Sequence, residues 1–173
     1  MRRETLAVAR RRYRKSQPVD SPISPQMPRT LMGRFLRESM LRQSSESEPL
    51  TARFPEFSSL GSAHVMIAAF QIAVARLFEP NHGLKDLELL VSAMRRAFGP
   101  ELPWPETEAL IRSEMGEDVA IGDLSVRTKT YAMILTLGAF ADFVERNEAE
   151  VDGLLSEAER RAFDHGHHPE LAE

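Results

Sequence analysis

Residues 65–75 read VMIAAFQIAVA, and residues 131–144 read YAMILTLGAFADFV. Neither stretch alternates apolar with polar side chains, as a half-buried strand must. Each is instead apolar on nearly every side, broken only by Gln71 in the first and by Thr136 and Asp142 in the second. A helix without a wet face belongs inside a bundle. The two stretches therefore predict a pair of central helices, about Ser62 to Phe78 and about Leu124 to Asn147, with Asp123 as N-cap of the second. Gly138 interrupts the second and suggests a close backbone approach, with Ala68, Ala69 and Ala73 as candidate neighbours.

The sequence around this pair has a different pattern. Leu84, Leu87, Val91, Met94 and Phe98 step by three and four residues, so residues 84–98 predict an amphipathic helix that Gly99-Pro100 ends. Pro105, with Glu106 and Glu108 in the first turn, opens a short helix over 105–115, with Gly116 at its C-terminal end. Residues 148–163 present Val151, Leu154, Leu155, Ala158 and Ala162 on one face. The expected fold is all-α: a compact bundle of about five helices over residues 58–165, with two central apolar helices. Residues 166–173 read as a polar tail.

Residues 16–57 hold six of the eleven prolines and a Ser/Glu run from Ser44 to Glu48, the composition of a flexible linker. One amphipathic helix interrupts it, at 30–43. Thr30 is its N-cap, and Leu31, Met32, Phe35, Leu36 and Met40 form its apolar stripe. A short amphipathic helix between flexible stretches suits helix-in-groove docking, so these five residues are the candidate partner-binding set. The alternative is that the helix lies on its own body, where effective concentration favours it.

Charge divides the chain at Lys15. Residues 1–15 carry seven basic side chains against Glu4, a net +6, while the other 158 residues carry 15 basic and 25 acidic side chains, a net −10. A basic arm on an acidic body seeks polyanions that the body repels. Arg2, Arg3, Arg10, Arg11, Arg12, Arg14 and Lys15 would neutralise phosphates, and Tyr13 would stack on an exposed base; this is the candidate nucleic-acid-binding set. An acidic protein surface is the competing partner for the arm.

Much chemistry is excluded. With no cysteine there is no disulfide, thiolate metal site or cysteine nucleophile. The sequence contains no Gly-rich phosphate loop, G-x-S-x-G or H-E-x-x-H. His165, His167 and His168 are metal ligands by type, but three histidines within four residues of a helix end lack a scaffold for a metal site, so no metal is expected. Gln71 and Arg76 are the only polar residues from Val65 to Phe78, with Thr136, Asp142 and Glu145 as expected partners. With Tyr131 they are the candidate ligand-binding set, should the bundle hold a small molecule. No run reaches the roughly 18–20 apolar residues of a membrane span, and no apolar core follows the arginines as in a secretory signal.

These readings lead to a non-enzymatic, cytoplasmic helical regulatory or adaptor protein without a cofactor. It would bind a protein partner through its bundle or its 30–43 helix, self-associate as a homodimer in one version, and touch nucleic acid through its arm. The alternatives are a pure protein–protein subunit and a small-molecule-sensing domain.

Overall fold

A computed structural model of the chain describes residues 27–41, 60–78, 84–99 and 103–172. The basic arm lies outside the described residues, and with it Arg2, Arg3, Arg10, Arg11, Arg12, Tyr13, Arg14 and Lys15. The described residues form six helices and no strand: α1 Leu31–Leu41, α2 Leu60–Leu77, α3 Leu84–Phe98, α4 Trp104–Glu114, α5 Val126–Phe143 and α6 Glu148–Asp164. None is long and apolar enough to cross a membrane.

Helices α2 and α5 are central because each serves two cores. The first core joins them to α1 and α6 through Met32, Phe35, Leu36, Met40, Ala69, Ala73, Leu137, Phe140, Leu154 and Leu155. The second lies on their other faces, where Phe70, Val74, Leu135 and Ala139 meet Leu87, Val91 and Met94 of α3 and Trp104, Leu110 and Ile111 of α4. Partly buried Leu77 and Met133 border both. This arrangement explains why α2 and α5 are apolar on nearly every side: side chains on two faces of each helix meet a core, with Ile67 and Ala75 of α2 left exposed. Fully burying one such Leu, Met or Phe contributes roughly 1.5–3 kcal/mol.

The ends of α5 differ from expectation. Ser125, not Asp123, is its N-cap: the hydroxyl accepts the Thr128 N–H at 3.1 Å. At the other end the helix stops at Phe143 instead of running to Asn147. Glu145 and Arg146 follow with φ of 57° and 52°, the left-handed region that side chains resist. Arg146 offsets that strain through one partner distant in sequence and one four residues back. Its guanidinium donates to Met40 O at 2.7 Å and pairs with Asp142 Oδ1 at 2.7 Å. Asn147 then caps α6 by accepting the Glu150 N–H at 3.2 Å.

Gly99, at φ 102°, ends α3 as expected and accepts a 2.8 Å hydrogen bond from the buried Trp104 indole. Gly138 is half-buried, and close approaches occur at Gly33 and Gly61.

Candidate functional site

Helix α1 receives polar contacts along its length from Glu159, Asp152, Glu148 and Arg146. Its stripe of Met32, Phe35, Leu36 and Met40 is buried, and Leu31 is half-buried. The stripe sits in a groove made by α2, α5 and α6. Four of the five residues of the candidate partner-binding set, Met32, Phe35, Leu36 and Met40, thus face the chain's own core. Thr30 is the N-cap anticipated for this helix: its hydroxyl accepts the Gly33 N–H at 2.9 Å.

The same hydroxyl donates to Oε1 of Glu159, on α6, at 2.8 Å. That carboxylate, on a residue only 5% exposed, also accepts the Thr30 N–H at 2.7 Å and the Arg29 N–H at 3.0 Å. A buried anion is thereby satisfied by three donors at the positive end of a helix. The fit leaves no room for a side chain at Gly33, where a Cβ would collide with Glu159 Oε1 and lie 2.7 Å from the Pro28 Cβ.

Halfway along α1, Arg37 forks onto Asp152 of α6. Its Nε meets Oδ1 at 2.6 Å and its Nη2 meets Oδ2 at 3.3 Å, while Nη2 also reaches Glu148 Oε2 at 2.6 Å. The bond to Asp152 raises the Arg37 pKa above the ordinary value against the cost of burial, with Glu148 adding to it. At the far end, Arg146 binds the Met40 carbonyl, which α1 leaves unsatisfied. The groove therefore offers a carboxylate where a helix presents N–H groups and a cation where it presents carbonyls.

Residues 166–172, read from composition as a tail, run back across the start of α1. Leu31 N donates to Glu170 O at 2.9 Å, and Ala172 N donates to Arg29 O at 2.7 Å, forming an antiparallel bridge between Thr30 and Leu171. The strap also crosses the first turn of α2. A Cβ on Gly61 would lie 2.8 Å from the backbone of His168 and Pro169. One turn further along α2, His64 stacks on His167 with ring centroids 3.3 Å apart and planes 19° from parallel.

The chain matches no family model, no curated protein and no solved structure. Any functional reading rests on its own residues.

The candidate ligand-binding residues are engaged separately. Gln71 donates to Glu114 of α4 at 3.3 Å, and Arg76 pairs with Glu157 of α6 at 2.8 Å. Five residues apart on one helix, they point about 140° apart. Tyr131 lies beside Arg127, whose guanidinium carbon is 5.8 Å from the ring centre. The expected partners for Gln71 and Arg76 are thus replaced: Thr136 bonds the Ala132 carbonyl and Asp142 pairs with Arg146. Burial alone would raise the Glu157 pKa, but the hydrogen bonds from Arg76 and Arg161 outweigh it and hold the carboxyl below its ordinary value.

Sequence reasoning missed Glu159, Asp152 and Arg146. The register of α6 held a signal for two of them. Asp152 and Glu159 flank Leu155 and Ala158 on the apolar side, where an acid is an exception that calls for a partner.

Proposed function

We propose that this chain is a non-enzymatic, cytoplasmic helical adaptor or regulatory protein. Its bundle recognises an amphipathic helix, and its basic arm engages nucleic acid or another polyanion. The observation that carries the reading is the seat of α1. Apolar packing alone leaves the N–H and carbonyl groups at the ends of a helix unread. Here Glu159 reads the helix start, Asp152 and Glu148 read a basic side chain about two turns further on, and Arg146 reads the closing carbonyl. Such fittings support recognition of a helix in a groove, a recurrent mode of partner binding. The charge break at Lys15 supports the polyanion role of the arm.

The test is a fluorescence-anisotropy titration of labelled duplex and single-stranded nucleic acid at two salt concentrations. The full chain is compared with a variant carrying Gln at Arg10, Arg11, Arg12, Arg14 and Lys15. Binding that weakens with salt, and weakens with a shallower salt slope in the variant, is expected of phosphate contacts. Equal affinity and slope for the two proteins would remove the polyanion role and leave a protein–protein subunit.

A further inference from the structure

We propose that the strap of residues 166–172 is an acid-released latch, fastened by the His64–His167 stack and holding the start of α1 against α2 and α6. It concerns how this fold opens and stands whatever the chain binds.

The geometry is that of a fastener. Gly166, with φ 78°, turns the chain out of α6, and the His167 N–H bonds back to Ala162 O at 3.0 Å. Among the described residues, the strap beyond it makes two backbone hydrogen bonds to the α1 entry, at Leu31 and Ala172, and one close backbone approach, at Gly61, and it buries Pro169. Leu171, at its far end, is 60% exposed and anchors little. Of these contacts, the imidazole stack is the one whose strength depends on protonation.

Two imidazoles with centroids 3.3 Å apart stack well while neutral and repel once both are protonated. The charged groups on the elements around the stack are His168 and Glu170 on the strap, Glu159, the Arg160–Asp164 pair and the C-cap His165 on α6, and Arg29 before α1. Glu159 is already committed to the Arg29 and Thr30 N–H groups. Desolvation first, and then the charges of His64, His165 and His168, hold His167 below the ordinary histidine pKa. An imidazole held down in this way takes its proton more readily when the strap is open. The closed latch is thus fully stabilised above pH 6.5 and loses that stabilisation as pH falls toward the lower folded value. Opening frees the Leu31 N–H and the Arg29 carbonyl, and with them one of the two sets of contacts at the α1 start.

The experiment uses the full chain. Amide exchange is measured from about pH 7.5 to about pH 5, corrected for intrinsic rates, alongside an NMR titration of the histidine ring protons. Protection at Leu31 and Ala172 is expected to fall by about tenfold per pH unit for each proton taken up in the window. Leu137 and Phe140, in the central helix, should keep theirs, and His167 should titrate below 6.5. A variant with both His64→Phe and His167→Phe keeps a ring stack without the titrating groups, and its protection should be flat across the range. The latch is overturned by protection at Leu31 and Ala172 that does not change with pH in the natural chain. It is equally overturned by an undiminished acid loss in the double variant, or by His167 titrating at or above 6.5.

Discussion

At the scale of single residues, two glycines in helices make opposite predictions. Helix propensity alone says that Gly→Ala stabilises either by roughly 0.4–1 kcal/mol. Gly153, in α6, has nothing within 4 Å of a new Cβ, so Gly153→Ala should raise the urea midpoint accordingly. At Gly33 the new methyl would strike Glu159 Oε1, which three hydrogen bonds hold in place. Gly33→Ala should destabilise by about 1–3 kcal/mol in the same assay. Glu159→Gln keeps the size but turns an amide N–H toward N–H donors, and should cost about 1–3 kcal/mol. Little of this was legible beforehand. The register of α6 signals that Glu159 needs a partner but not which one, because its donors come from residues 29 and 30, some 130 positions away. Thr30 was legible because the group it caps, Gly33 N–H, lies three residues on.

At the scale of elements, α1 is tied to α6 by side chains of unequal value. Asp152 is 8% exposed, whereas the side chain of Glu148 is 72% exposed. Arg37→Gln strands a buried carboxylate and should lower stability by about 1–3 kcal/mol. Glu148→Gln should cost no more than about 1 kcal/mol, because water screens that contact. A double-mutant cycle on Arg37 and Asp152, read by denaturant unfolding, should give a larger coupling than one on Arg37 and Glu148. Helix positions followed from the sequence because apolar spacing is local: the expected 84–98 and the observed α3 coincide. The ends of α5 did not follow. Asp123 and Ser125 compete as caps two residues apart, and backbone spacing decides for Ser125. The stop at Phe143 depends on Arg146 reaching Met40 O, a partner on another helix.

At the scale of the whole molecule, the question is whether the two cores unfold together. Each is bounded by α2 and α5, so losing one exposes an apolar face of both central helices. That coupling was half legible: the all-round apolarity of 65–75 and 131–144 announced central helices, but not which elements filled each side. The docking of α1 was one of the two expected outcomes, favoured by effective concentration, whereas the docking of the strap was hidden, since its composition reads as a tail. The protein carries its own reporter of the coupling. Trp104 is the only tryptophan in the chain; it is buried in the second core and has no part in the first. Phe35 belongs to the first core alone, on α1. Phe35→Ala removes a buried ring and should cost about 3–5 kcal/mol. If α2 and α5 transmit that loss, tryptophan fluorescence and far-UV circular dichroism will shift to the same lower denaturant midpoint. A fluorescence midpoint that stays in place while part of the dichroism moves would mean that the α3–α4 half folds as a separate unit, with the central pair forming a boundary between units instead of a shared core.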